Sequence, residues 1–168
     1  MRIIGIDPGI ATTGYGIVES DGHRSVAIEY GCILTAKDLP TPERLQIIYR
    51  DLTEVLRQFT PQVMAVEKLF FNKNINSAMQ VGEARGVAVL TGIHAGLSVF
   101  EYTPLQVKQA VVGYGRAEKK QVQQMVKVLL NLAKIPRPDD AADGLAIALC
   151  HAHSGSTLHA LGRRGTYV

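Results

Sequence analysis

The chain has 168 residues, 46% of them hydrophobic, which excludes a disordered protein and allows one domain with a sizeable core. No apolar run approaches the roughly 20 residues of a membrane helix, and the opening MRIIGIDPG is too soon interrupted to read as a signal peptide. The net charge of +3 hides an asymmetry, because residues 104–137 hold seven of the 18 Lys and Arg and a single acid, Glu118. Such a block is either the footprint of a polyanion partner or a solvated helix face.

Residues 2–7 (RIIGID) predict a buried strand ending at the Pro8-Gly9 turn. Residues 14–20 and 24–33 predict two more strands, joined at the hairpin signal Asp21-Gly22. Thr41-Pro42 then opens a helix. Leu45, Ile48, Tyr49, Leu52, Val55, Leu56 and Phe59 repeat along it as one core-facing stripe, and Pro61 ends it. Residues 63–68 (VMAVEK) predict a fourth strand. A helix over about 75–95 is rich in small residues, among them Gly82, Ala84, Gly86, Ala88 and Gly92. Several glycines within one helix point to close packing on another backbone, in this subunit or a partner. A fifth strand at 98–102 precedes helices near 104–112 and 118–131, the second with Val122, Met125, Val126 and Leu129 inward. The last helix begins near Pro138 and runs to about His153. Residues 156–168 have no clear period and read as a flexible tail behind a single domain of residues 1–155.

Strands on short turns followed by strand–helix–strand units predict an α/β fold, with a five-stranded mixed sheet flanked by helices. A right-handed crossover sets the first and fourth strands side by side and parallel. Asp7 and Glu67 then both lie at carboxyl ends of strands, where open α/β sheets place their sites. Asp140 and Asp143, three apart, share a face at the start of the last helix. Singly, each acid has an ordinary explanation: a turn-forming Asp, a strand-end ion pair, a first-turn helix acid. Together they repel, and a hard dication is the simple remedy. Carboxylates with water suit Mg²⁺ or Mn²⁺, and two such ions about 4 Å apart hydrolyse phosphodiesters. Spacing leaves one choice open, since Asp139 and Asp143 share a face as well as Asp140 and Asp143 do.

Phe70 and Phe71 follow Glu67 directly; one is expected to stack on bases and the other to cap the core. Lys68, Lys73 and the Asn-rich turn 72–76 offer donors to phosphate, and the segment from Lys108 through Arg116 and Lys119 to Lys120 is placed to clamp a nucleic-acid backbone. His151 and His153 read as solvated or dipole-paired at a helix end rather than as ligands. Cys32 and Cys150, far apart and outside any CxxC pair, read as reduced thiols of a cytoplasmic protein.

Taken in order, GIDPG…TGYG at 5–16, Glu67 with Phe70, KN…SA…ARGVA at 73–88, FEY…QVKQ.VVG.G.AEK.QV at 100–122 and DAAD.LAIA at 140–148 closely resemble the RuvC family of bacterial Holliday-junction resolvases. The resemblance covers nearly the whole chain to about residue 154. It implies a ribonuclease H-like fold, a homodimer, and two Mg²⁺ per subunit with Mn²⁺ as a substitute. It further implies paired symmetric nicks in four-way junction DNA, in homologous recombination and repair, with RuvA and RuvB as partners. By the resemblance Asp7, Glu67, Asp140 and Asp143 are the catalytic metal-binding acids, which selects Asp140 over Asp139. Phe70 engages junction bases, and Lys108 and Lys119 lie at the DNA backbone.

Three rivals stand beside this reading. The turn GIDPG…TGYG also resembles the phosphate loop of actin-like ATPases and sugar kinases, a fold that needs two such domains. Gly9 to Gly14 has P-loop spacing, but Tyr15 follows instead of Lys. A non-catalytic junction- or RNA-binding module would gain nothing from surplus carboxylates, which repel phosphate. A related nuclease acting on RNA or simple duplex is set aside by the resemblance alone.

Overall fold

Apolar runs that carry no alternation become the middle of the sheet, because helices cover both of its faces. A computed structural model of the protein describes residues 1–68 and 75–160. Its elements are β1 (Arg2–Asp7), β2 (Thr12–Ser20), β3 (Ser25–Leu34), α1 (Thr41–Phe59), β4 (Val63–Glu67), α2 (Ile75–His94), β5 (Ser98–Tyr102), α3 (Pro104–Val112), α4 (Lys119–Leu129) and α5 (Asp139–Ala160). The sheet order is β3-β2-β1-β4-β5. β1, β2 and β3 pair antiparallel, while β1, β4 and β5 run parallel. This is the mixed five-stranded, ribonuclease H-like sheet that the sequence predicts.

Alternation along the strands divides the core in two. Ile3, Ala65 and Tyr102 face α3, α4 and α5. Ile4, Ile6, Met64, Val66 and Val99 face α1 and α2. On α1 the deepest row is Ile48, Leu52 and Leu56, while Tyr49, expected in the stripe, is exposed. Arg44 completes that row as a buried cation. Its Nε donates to Thr35 Oγ1 (2.8 Å), and Thr35 in turn donates to the Ile10 carbonyl, which ties α1 to the turn after β1.

On α5 and its strands the determining residues are glycines. Gly5, Gly14 and Gly16 lie under the helix, and Gly144 faces them from it. A β-carbon on Gly144 would sit 2.6 Å from the Tyr15 carbonyl carbon, and one on Gly5 would sit 2.5 Å from the Ala148 nitrogen. The helix therefore rests on the strand backbone with no side chain between them.

Further details go beyond or differ from the sequence reading. α5 continues to Ala160, because one glycine such as Gly155 costs a helix only about 1 kcal/mol and does not stop it. On α4, Leu129 is exposed and Leu130 is buried, since the chain leaves the helix at that point. On α2, the small residues divide. Ala84 and Ala88 are fully buried and Gly92 makes room for Met64, whereas Gly82 and Gly86 face open space. His151 is buried rather than solvated: its Nδ1 lies 2.8 Å from the Tyr102 hydroxyl and its ring packs on Phe100.

Gly144→Ala should lose about 1–3 kcal/mol by overpacking, despite the helix propensity gained, and urea denaturation reads this. An unchanged midpoint would mean that α5 can lift off the sheet at no cost. Burial holds the His151 pKa down to about 4 from 6.5. Above pH 6.5 the ring is neutral in both states. Between there and about pH 4 only the unfolded chain takes up the proton, so stability falls with pH and levels off below. The wild type should lose about 3 kcal/mol more than His151→Gln between pH 7 and pH 4 in urea titrations, since each tenfold difference in proton affinity is worth about 1.4 kcal/mol. Parallel curves would refute a neutral buried ring.

Candidate active site

β1 ends in Asp7, which pairs with Gly14 of β2, and parallel β4 ends beside it in Glu67. Alternation turns both side chains toward α5, on the face of Gly5 and Ala65. Gly14 has no side chain to hold off the first turn of α5, and a β-carbon there would collide with the Asp140 carbonyl oxygen. This approach brings Asp140 and Asp143 to Asp7. One carboxylate oxygen from each of the three lies within 4.8 Å of the others. Glu67 stands outside that trio but lines the same cavity of about 250 Å³ with Asp7, Asp143, Lys108 and Lys119. The cavity floor is apolar: Pro104, Val107, Val122, Ala146 and Ile147.

Asp139 and Asp140, equivalent by spacing, are placed differently by the fold. Asp139 turns outward into an ion pair with Arg137, while Asp140 joins the trio. Lys108 and Lys119 reach the cavity from α3 and from the first residue of α4. Arg116 and Lys120 are exposed on the same stretch of chain, outside the cavity lining. Phe70, Phe71 and Lys73 lie outside the described residues.

Crowding shows in the electrostatics. Burial, then the charges of Glu67, Asp143 and Asp140, push Asp7 up to about 7. Burial raises Glu67 and Asp143 as well; Asp143 repels Glu67, and Lys119 pulls both back down. Burial works against the Lys119 charge, but its 2.7 Å bond to Asp143 Oδ2 and the charges of Asp143, Asp139 and Asp140 together outweigh this and hold its pKa above the usual lysine value. The ammonium thus stands in for part of the positive charge that the acids lack. An all-oxygen donor set of this compactness fits a hard divalent cation better than zinc or copper.

Cys32 is a neighbour that sequence reasoning missed. It pairs with Gly14 across β2 and β3, and burial and then Asp140 push its thiol up to about 11. Cys32 and Cys150 are both free thiols. Only strand register, invisible in the sequence, puts Cys32 here.

Acids at the ends of two parallel strands and at the start of a helix, with lysines facing them across a cavity, define a ribonuclease H-like nuclease. The family model described as crossover junction endodeoxyribonuclease RuvC matches residues 3–151. The crossover junction endodeoxyribonuclease RuvC of Alkaliphilus oremlandii is 56% identical over 156 residues, covering 93% of this chain and 95% of that protein. The structure of Thermus thermophilus RuvC superposes with a TM-score of 0.86 at 39% identity, over 94% of this chain and 96% of that one. A structure of T. thermophilus RuvC in complex with Holliday junction substrate gives the same TM-score at 37% identity and the same coverage. The chain belongs to the RuvC family of crossover junction endodeoxyribonucleases.

Because Lys119 holds Asp143, it competes with any cation for that carboxylate. Lys119→Gln should tighten Mn²⁺ binding to the DNA-free protein roughly fivefold, about 1 kcal/mol after solvent screening of a half-exposed pair. Electron paramagnetic resonance of free Mn²⁺ reads this, and weaker binding in the variant would mean that Lys119 organises the acids instead of competing for them.

Proposed function

We propose that this chain is a structure-selective endonuclease that resolves four-way DNA junctions by paired, symmetric nicks in homologous recombination and repair. The observation that carries the reading is the convergence of Asp7, Asp140 and Asp143, with Glu67 beside them, in a chain of this family. The T. thermophilus relative held in complex with a Holliday junction supports the choice of substrate.

Asp7, Glu67, Asp140 and Asp143 would hold two Mg²⁺ per subunit, with Mn²⁺ as a substitute, and Asp7 shared between them. Ions of this kind supply activation of the attacking water and stabilisation of the leaving 3′-oxygen. The chain's own residues do the rest. Lys119, at the cavity wall, moves from Asp143 to the phosphate and offsets charge gathering there. Lys108 faces the same space from α3 and holds a neighbouring phosphate oxygen. The floor of Val107, Val122 and Ile147 keeps bulk water from beneath the reacting group. Lys73, Arg116 and Lys120 contact the flanking backbone, and Phe70 stacks on a junction base.

A junction has near two-fold symmetry, so a C2 dimer presents one centre to each of two like strands. Its surface in our reading is α2. Met79 (61% exposed), Leu90 (51%) and Ile93 (53%) lie along one outward stripe with Gly82 and Gly86, so apolar area is open to a second copy. The nuclease unit in this reading is residues 1–155; the chain beyond it continues α5 to Ala160, and residues 161–168 of the expected tail lie outside the described residues. RuvA and RuvB are the partners this role implies, and the cytoplasm its place. No helix among the described residues is long and apolar enough to cross a membrane.

With Mg²⁺ the protein should nick a synthetic mobile junction in paired strands, leave a linear duplex of the same sequence intact, and stop in EDTA. Asp7→Asn should lower cutting by at least about a thousandfold, as loss of a centre that supplies several kcal/mol requires, while the variant still shifts the junction in a gel. Retained cutting would remove Asp7 from the centre, and equal cutting of the duplex would favour a nuclease without junction selectivity.

A further inference from the structure

One buried acid plays no part in the centre described above. Glu101, the penultimate residue of β5, has a side chain only 7% exposed. Two cations reach it. Arg85 of α2 forms an ion pair with one carboxylate oxygen, and Lys68 Nζ lies 4.0 Å from the other. Buried Arg85 Nε has no hydrogen-bond partner among the described residues, where the ion pair given for this guanidinium is the one with Glu101.

Glu101 is not a fifth ligand. Alternation along β5 sends Tyr102 to the α5 side with Glu67, and Glu101 to the opposite side with Val99. The backbone of the sheet therefore stands between this acid and any cation in the cavity. Nor is the pair explained by stability. A buried ion pair is commonly no better than apolar residues of the same volume, because desolvation cancels the attraction. What such a pair does supply is a fixed geometry.

Its position says which geometry. Glu101 pairs with Val66 in the parallel register, and Tyr102 pairs with Glu67. The Lys68 amide then donates to the Tyr102 carbonyl at 2.8 Å. Glu67 thus sits between two ties to β5: a ladder on one side, and on the other a backbone bond reinforced by the Lys68–Glu101 contact. Arg85 adds a third leg, from α2 to the same carboxylate.

We propose that Glu101 is a positioning residue for the carboxylate centre: gripped by Arg85 of α2 and Lys68 at the end of β4, it fixes the strand end that presents Glu67. It acts from behind the sheet, through β4, and never touches substrate or cation. The inference rests on the reading of the four acids as a divalent-cation centre.

The test is Mn²⁺ titration of the DNA-free protein, single-turnover junction cutting at saturating enzyme, and junction affinity, each below the melting transition. Glu101→Gln keeps the shape and removes the charge. It should weaken Mn²⁺ binding and slow cutting by roughly tenfold each, the scale for residues that orient ligands without touching the ion, with junction affinity within twofold. Arg85→Lys keeps the charge but withdraws the guanidinium from the Glu101 carboxylate oxygen it pairs with, and should fall between. Should Glu101→Gln fail to fold, Arg85→Lys decides alone, with about threefold weaker Mn²⁺ binding in support. Wild-type Mn²⁺ affinity and cutting rate in a folded variant, even one with a lowered melting temperature, would overturn the proposal and leave a structural ion pair. Asp7→Asn is the control. If it binds Mn²⁺ as the wild type does, the cation-centre reading has failed, whatever Glu101 does.

Discussion

The direct rest of α5 on the backbone of β1 and β2 is the contact on which the rest of the structure depends. Ordinary side chains hold packed helices roughly 8–10 Å apart. Gly5, Gly14, Gly16 and Gly144 remove that spacing. Without it, Asp140 and Asp143 would stand a side-chain layer away from Asp7, and no single cation could join them. The same contact explains the burial of Asp7, since the helix start closes over the strand end. It also aims the positive end of the α5 dipole at the acids, which lowers the cost of gathering them.

That arrangement has an electrostatic consequence. Burial first, and then the charges of neighbouring acids, raise the Asp7, Glu67 and Asp143 pKa values, so positive charge brought to the site would stabilise their ionised forms. The chain supplies part of it with Lys119 on one side and, through a different face of the sheet, steadies the Glu67 strand end with a buried ion pair. Lys119 and any cation bound there therefore draw on one pool of negative charge. A centre poised in this way is expensive to hold empty, which ties its order to the ligands it serves.

Much of this was legible in the sequence, for identifiable reasons. The uninterrupted apolar strands RIIGID and VMAVEK each carry an acid at or next to their end, so Asp7 and Glu67 could be placed at neighbouring strand ends from pattern alone. The Thr41-Pro42 opening, the apolar stripe and Pro61 gave the limits of α1, because helix start and stop chemistry is local. What escaped is set by register and by faces. Spacing could not separate Asp139 from Asp140, because both choices obey helical geometry; the strand beneath decides. Gly14 and Gly16 lay within a strand with nothing to mark them as a helix seat. His151 read as a solvated or dipole-paired residue, and nothing in the sequence marked Arg44 or Glu101 as buried; only the partners brought by tertiary folding make their burial tolerable.

The glycines of α2 pose the complementary question. Each glycine in a helix costs about 1 kcal/mol against alanine. On α5 that cost is offset within the subunit, since a β-carbon at Gly144 would strike Tyr15. At Gly82 and Gly86 a β-carbon would meet nothing within 4 Å among the described residues, so no contact there offsets it. These positions also lie among exposed Met79, Leu90 and Ile93 rather than in a polar face. An unrewarded glycine pair inside an exposed apolar stripe is what a second backbone in close approach would require. By the same packing logic, the proposed dimer would seat another copy of the chain on α2, and the two-fold symmetry of a four-way junction would give such a copy its use.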